Sequence, residues 1–380
     1  MTIAASGAVS FSDLRTEFVG GSSAISFSDL YRGGSNIKAK AGDNQAINLA
    51  ASVPASGTID LADFHGTAKG FKFIYSSTSG NQNVSSLFGD DYDLNYPKIV
   101  DINSGVSIYG SGDEAITIPS GLAGTLVINN AGNILGFGGS AGGGAGGSAI
   151  NCASSGVTIN NTGLLAGGGG GGGSGGSGGS GGNGSYSSSV SQPSSGYYYS
   201  AVYKWQVVGN ASRVRISWNT YGYFQNPSNY QGSLTSWAYG GWTYSRGNLQ
   251  EADYDQPYYM YQVKRQQNQN VSTSGGAGGS GGAGGVGQGY NQSAASGSSG
   301  SGGSGGGTSA GTGGTGGAGG AGSAYAVAGV NGSTGSTGAN GNASNGSGGA
   351  GGSSGGAAGA AVTGTTVTMN NTGTLHGAVA

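Results

Sequence analysis

Charge is scarce in this sequence, and so are proline, histidine and cysteine. Of 380 residues only 7% are charged, 6 are Pro, 2 are His and 1 is Cys. The single Cys152 has no partner for an intrachain disulfide, and no Cys/His cluster has the spacing of a zinc site. It is expected as a small thiol packed in a core. The formal net charge of −2 leaves no basic patch to neutralise phosphates, so no nucleic-acid partner is expected. The N-terminus has neither a basic stretch nor a long apolar run, so no signal peptide is expected. No apolar run approaches the roughly 20 residues that cross a bilayer, which argues against membrane insertion. His65 and His376 lie in different regions, and no Ser/His/Asp or Cys/His arrangement has supporting context. No catalytic residue, no enzyme activity and no cofactor are expected. Asp90-Asp91-Tyr92-Asp93 looks like half a calcium loop but lacks the Gly at the sixth position and the closing Glu, so no metal site is expected there.

What the chain has instead is glycine, 89 residues of it. Without abundant proline and a strict G-X-Y period this is not collagen. A disordered Gly/Ser linker is the usual reading. Disorder, however, goes with few aromatics, and here there are 21 Tyr, 9 Phe and 4 Trp. Part of the chain is therefore ordered.

Residues 1–70 carry a short repeat. Val9-Ser10-Phe11-Ser12-Asp13-Leu14 recurs as Ile25-Ser26-Phe27-Ser28-Asp29-Leu30, with a weaker copy at Ile59-Asp60-Leu61-Ala62-Asp63-Phe64. Ser12 and Ser28 are expected N-caps, Asp13 and Asp29 sit in the first turn, and Gly20 and Gly33 stop each helical turn. Units this short do not fold alone, so the region is read as a docking module. Phe11, Leu14, Phe27 and Leu30 are its candidate attachment residues. Residues 71–135 alternate apolar and polar residues, as in Phe71-Lys72-Phe73-Ile74-Tyr75, and form a β region.

The most specific signal is a triplicated pattern. Leu126-Val127-Ile128-Asn129-Asn130-Ala131-Gly132 returns as Val157-Thr158-Ile159-Asn160-Asn161-Thr162-Gly163. It returns again as Val367-Thr368-Met369-Asn370-Asn371-Thr372-Gly373. With Asn-Asn-x-Gly as a turn, each copy is expected to form a hairpin, the last within a closing segment 361–380. Three like hairpins stack into one core, so the chain must come back after the long interval between copies two and three.

That interval, with the stretch before it, holds the glycine tracts of 136–185 and 274–360. Their period is three. Ser174, Ser177, Ser180 and Asn183 are separated by Gly-Gly, as are Ala277, Ser280, Ala283 and Val286, and Thr312, Thr315, Ala318 and Ala321. In 331–341 the pattern inverts, with single glycines at 332, 335, 338 and 341. Period three matches an extended threefold helix of about 3.1 Å rise. Bare glycine faces let such helices lie side by side and bond one another's amides. Tracts with two bare faces suit the inside of a bundle, and tracts with one suit the outside. Ordering glycine costs roughly 1–2 kcal/mol per residue against about 1 kcal/mol returned per hydrogen bond. A bundle therefore needs many helices and a cap.

Residues 186–273 change character. They contain all four Trp, most Tyr, and a local cluster of Arg213, Arg215, Arg246, Lys264 and Arg265. Residues 202–207 and 214–218 read as strands, with Trp205 and Trp218 as core, and residues 221–261 read as long loops. Trp237, Tyr239, Trp242, Tyr244, Arg246, Tyr258 and Tyr259 are the candidate receptor-binding residues. Rigid aromatics and Arg among Gly, Ser and Asn are the chemistry of adaptable binding surfaces, although some rings must build the segment's own core. Glu251, Asp253 and Asp255 alternate, as a solvated edge or a cation-assisted glycan contact would.

The tandem Ser-Phe-Ser-Asp-Leu, the Asn-Asn-x-Gly motifs and the interrupted glycine tracts together resemble bacteriophage tail-fibre and tail-tip proteins. Residues 136–380 are similar to the distal tail-fibre adhesins of T-even-like phages. That resemblance implies a sandwich of polyglycine-II helices, localisation in the virion tail after assembly in the host cytoplasm, and partners among tail-fibre or baseplate proteins. It also implies a host receptor, glycan or outer-membrane protein, bound by segments between glycine motifs. A single chain and a homotrimer both remain open, as does a purely structural collar, baseplate or fibre-decoration role. The fold class expected is mainly β and irregular: a small helical-turn module, a β region, and a polyglycine-II bundle carrying an aromatic-rich β/loop insertion.

Overall fold

The computed structural model describes residues 3–19, 24–32, 34, 36–37, 47–48, 52–194, 197–199, 204–206, 236–239, 242–253 and 258–380. The chain is mainly β.

The N-terminal region packs around its own core of Leu14, Phe18, Leu30, Ile37, Val53 and Phe64. All three repeat copies open a helical turn: α1 (Phe11–Leu14), which runs on as a π-helical stretch over Arg15–Val19, and two single 3-10 turns at Phe27–Leu30 and Leu61–Phe64. The caps are Ser10, Ser26 and Asp60, two residues ahead of the expected Ser12 and Ser28. Asp13, Asp29 and Asp63 each reach back from the third helical position to the cap N–H, closing a capping box. Hydrogen bonds from the Ser10 hydroxyl and N–H hold the Asp13 carboxyl below its ordinary pKa. The second turn ends at Leu30, because Tyr31 is already extended; Gly20 and Gly33 lie outside the described residues. Leu14 and Leu30 are fully buried, so they hold the module together and present nothing to a partner. Phe11 and Phe27 remain at the surface side, ring centroids 4.6 Å apart and edge to face, with Phe11 38% exposed.

From residue 71 the chain coils. Strands β2 (Phe71–Tyr75), β5 (Lys98–Ile102), β8 (Leu126–Asn130), β11 (Val157–Asn161) and β20 (Thr368–Asn371) stack in parallel on one side. A second side stacks β3 (Ser79–Gly80), β6 (Ser107–Tyr109), β9 (Asn133–Leu135), β12 (Leu164–Ala166) and β21 (Thr374–His376). The third stacks β4 (Gln82–Asn83), β7 (Ile116–Ile118), β10 (Ile150–Cys152) and β19 (Val362–Gly364). The result is a three-sided parallel coil whose alternate residues point inward. Val100, Ile102, Ile108, Ile118, Ile128, Ile134, Ile159 and Leu165 fill its core. A short antiparallel strand, β1 (Ile47–Asn48), pairs with β2 at the end nearest the N-terminal region. Lys98 is fully buried here, its ammonium donating to the carbonyls of Leu94 (2.7 Å), Ala123 (2.9 Å) and Tyr96 (3.3 Å). Burial pulls its pKa below the ordinary lysine value.

The triplicated motif thus forms no hairpins. Each copy is a corner between the first and second sides, and its strands pair with the equivalent strands of other coils. Nor does the motif's glycine serve a left-handed turn. A Cβ on Gly163 would lie 2.0 Å from the Gly132 carbonyl oxygen, and one on Gly373 2.2 Å from that of Gly163. Glycine is needed because one corner rests on the next. The two asparagines form ladders down the stack. Asn130 Nδ2 donates to Asn161 (2.7 Å) and Asn161 Nδ2 to Asn371 (2.6 Å), while Asn160 donates to Asn129 and Asn370 to Asn160. Cys152 is buried in this core, as expected, with its thiol directed to the Ser154 carbonyl.

The second-to-third corner grows coil by coil. It spans residues 110–115 in the second coil, 136–149 in the third and 167–361 in the fourth. All the glycine tracts are therefore insertions at one corner, which explains the chain's return to β19 and β20. Residues 167–183 run outward, 274–288 return, 293–306 run out, 311–324 return, 327–341 run out and 344–360 return. Along each contact, every third N–H donates to the neighbour. Gly172, Gly175 and Gly178 donate to Gly285, Gly282 and Gly279, each at 2.8 Å, and Gly173, Gly176 and Gly179 donate to Val330, Ser333 and Ser336, each at 2.9 Å.

The 167–183 tract is the centre. Over residues 167–173 it exchanges hydrogen bonds with all other tracts except 293–306, including the short pair 136–140 and 144–148. That is where the sequence is uninterrupted glycine. A Cβ on Gly171 would lie 1.9 Å from the Ser140 carbonyl oxygen and one on Gly172 1.9 Å from that of Gly320. The short pair ends near Gly143, one face of the central tract opens, and from there Ser174, Ser177, Ser180 and Asn183 occupy the open face.

Two outcomes are expected from thermal unfolding of the full chain. Gly176→Ala, whose Cβ would meet the Ala350 carbonyl oxygen at 1.9 Å, should cost about 1–3 kcal/mol. Gly302→Ala, on the outer 293–306 tract with nothing within 4 Å, should change stability by less than about 0.5 kcal/mol. In the N-terminal region, Leu14→Ala and Leu30→Ala should each cost about 2–5 kcal/mol, whereas Phe11→Ala should cost under about 1 kcal/mol because much of its ring is already in water.

Candidate functional site

The central tract does not end at Asn183. It continues into β13 (Gly184–Ser194), and the tract beside it begins where β18 (Tyr258–Thr273) ends. β13 and β18 pair antiparallel from Gly184↔Thr273 to Ser194↔Val263. The antiparallel pairing of the two glycine tracts therefore passes into a two-stranded ribbon. The hydroxyls of Ser187 and Ser189 donate across it to Asn270 (3.0 Å) and Asn268 (2.9 Å). The Asn342 side chain clasps its base, accepting from the Ser185 N–H (2.7 Å) and donating to the Ser185 carbonyl (2.8 Å).

The ribbon leads to an antiparallel sheet containing β14 (Tyr197–Tyr199), β15 (Lys204–Gln206), β16 (Ser236–Tyr239) and β17 (Trp242–Asp253). All seven receptor candidates lie on its strands rather than in the loops the sequence suggested. Turn-forming residues in 221–261 obscured strands that tertiary pairing stabilises. Residues 214–218, with Trp218, Arg213, Arg215 and Asp255, lie outside the described residues. Trp205 falls on β15, opposite Tyr198.

The register arranges the candidates further than composition could. Trp237 pairs with Tyr244, Tyr239 with Trp242, and Tyr244 with Arg265; Arg246 pairs with Val263. Directly opposed residues share a face, and so do residues two apart on a strand. Trp237, Tyr239, Trp242, Tyr244 and Arg246 therefore occupy register positions of one face. The other face of the same strands takes Ser236, Ala238, Thr243 and Ser245. The register shifts between Arg246 and Glu251 fall on β17, so β18 keeps its alternation. Tyr259 then shares the face of Arg265, and Tyr258 takes the opposite one. Glu251 and Asp253 sit opposite Met260 and Tyr258.

Among the described residues no group of three His, Cys, Asp or Glu side chains could hold a metal ion, and no helix is long and apolar enough to cross a membrane. The four attachment candidates separate into two buried leucines and the surface pair Phe11–Phe27. Two further tips lie at the bundle end that bears the ribbon. They are the turns around 307–310, where the Thr273 hydroxyl donates to the Thr308 carbonyl at 2.7 Å, and around 341–344. The sequence left the tract tips open as an alternative receptor contact without placing them by residue; the short breaks in the period-three pattern at 307–310 and 342–345 are the signal that marks them.

No curated protein sequence matches this chain. The crystal structure of the gp37–gp38 adhesin tip complex of the bacteriophage S16 long tail fibre is similar, at 16% identity and a TM-score of 0.33, over 88% of this chain and 90% of that one. Residues 71–300, more than half the chain and spanning β2–β12 of the parallel coil, the central tract and the aromatic insertion, match the family described as phage tail fibre adhesin Gp38. The chain belongs to the phage tail fibre adhesin Gp38 family.

Proposed function

We propose that this tail-fibre adhesin attaches to the virion through residues 1–70 and binds a host-cell surface receptor with the sheet of residues 186–273. On this reading the parallel coil, which takes in residues 71–135 and also β10–β12 (Ile150–Ala166) and β19–β21 (Val362–His376), is the β domain, and the glycine tracts within 136–185 and 274–360 are polyglycine-II helices that make the pedestal. Residues 361–380 close it, β19 finishing the fourth coil and β20 and β21 forming the last. The every-third-residue hydrogen bonding between tracts supports the polyglycine-II assignment. The surface pair Phe11–Phe27 supports a docking role for the N-terminal region towards another fibre or baseplate protein.

The observation that carries the receptor assignment is the ribbon. Its strands continue the two hydrogen-bonded tracts at the end away from the coil, so the insertion stands on the tract at the centre of the bundle. A preorganised scaffold limits the ordering cost of binding. Trp, Tyr and Arg at same-face positions are the residue types that dominate binding energy at interfaces. The receptor is a glycan or an outer-membrane protein, the activity is binding without catalysis, and assembly takes place in the host cytoplasm before incorporation into the tail.

Adsorption of purified protein to host cells tests this. Replacing residues 186–272 by a short turn should abolish adsorption while the remaining bundle keeps its unfolding temperature. Unchanged adsorption would move the receptor contact to the tips at 307–310 and 341–344. Full-length protein that shows no adsorption at all would instead indicate a structural virion component.

A further inference from the structure

A cavity of about 520 Å³ lies at the opposite end of the bundle, where the glycine tracts meet the parallel coil. Its wall comes from three separate pieces of chain: the second-to-third corner of the second coil, the short tract pair beginning at 136, and the turn at 289–292. Tyr290, on that turn, stacks on Tyr109 of the coil with centroids 4.1 Å apart and planes 15° from parallel. The Tyr109 ring also rests on Gly80, where a Cβ would approach it to 3.1 Å. Phe137 supplies a third ring, seated over Gly147, where a Cβ would come within 2.1 Å of it. These contacts fix the rings before any ligand arrives.

The polar groups around the rings are neutral. Tyr109, Ser111, Ser140 and Tyr290 line the wall, their hydroxyls without a hydrogen-bond partner among the described residues, and Gln292 adds an amide. Gln292 Nε2 is committed to the Gly287 carbonyl at 2.8 Å, which leaves its oxygen as an acceptor. Among the described residues no charged side chain lines the cavity. Its volume lies within the roughly 300–1,000 Å³ of small-molecule sites, which combine apolar walls with a few convergent polar groups. Flat rings cover the C–H faces of a pyranose, and hydroxyls and an amide oxygen match its hydroxyls. An ionic ligand would find no counter-charge here.

We propose that this junction cavity is a second ligand site, for a neutral sugar or short neutral oligosaccharide, separate from the receptor surface on the insertion. It binds glycan beside the coil while the tip engages its receptor, so the two sites together raise the avidity of attachment.

Saturation-transfer NMR on the full-length protein tests this, with D-glucose, D-galactose, N-acetylglucosamine, lactose and maltose as probes. At least one sugar should receive saturation, and Tyr290→Ala should weaken it at least tenfold. Ser140→Leu, which fills the opening from an exposed position, should do the same without lowering the unfolding temperature. Tyr290→Phe, which keeps the stack, should weaken binding less than Tyr290→Ala. Replacing residues 186–272 should leave the signal intact, which separates this site from the receptor reading. Absence of transfer to all five sugars overturns the proposal. So does transfer unaffected by Tyr290→Ala and Ser140→Leu, or transfer lost with the insertion.

Discussion

The whole assembly depends on one constraint: extended backbones can hydrogen-bond sideways to several neighbours only where no Cβ stands between them. The central 167–183 tract meets this condition most fully, and its first seven residues are all glycine because neighbours surround them. The cost of ordering glycine is high, and a net hydrogen bond returns only about 1 kcal/mol. The tracts are therefore ordered by being numerous and by being tied at one end. The tie is the parallel coil, which emits the tracts at one corner and takes the chain back at β19.

The coil supplies what the tracts lack, an apolar core and side-chain specificity. Its inward Ile, Val and Leu residues are buried on all three sides, and the asparagine ladders bond one coil to the next. The Asn161 side chain, bonded on both sides, fixes the register of the fourth coil against the third and the last. Register errors would otherwise be cheap in a stack of near-identical strands. The long insertion can then sit within a single corner, because corners point away from the core and tolerate added length.

Stiffness at the base has a functional consequence. The pairing of residues 167–183 with 274–288 continues without a break into the β13–β18 ribbon, so the aromatic sheet is joined to the bundle by two paired strands rather than by a single flexible linker. Membership of the Gp38 adhesin family gives that arrangement its context. If the sheet binds the receptor as proposed, it presents a face with little freedom left to lose. The N-terminal region, with a separate core and a phenylalanine pair at its surface, lies at the other end of the chain's path.

Much of this was legible in the residues. The period of three marked the tracts, the triplicated motif marked a stack, and the abrupt change in composition at 186 marked the insertion. What misled was local: Asn-Asn-x-Gly has the composition of a hairpin turn, and only the close approach of Gly163 to the Gly132 carbonyl shows that the glycine serves stacking instead. Likewise Ser12 stands where a cap is expected, but the cap is Ser10, because Asp13 can reach back to that N–H. The sequence by itself determined which faces of each tract are bare and which residue types gather in the insertion, since those follow from side-chain presence and chemistry. Only the tertiary structure decided that strands pair between coils rather than within a motif, that one corner carries every tract, and that six of the seven receptor candidates share a face. Pairing between distant segments depends on which backbones come to lie side by side, and no local pattern encodes that.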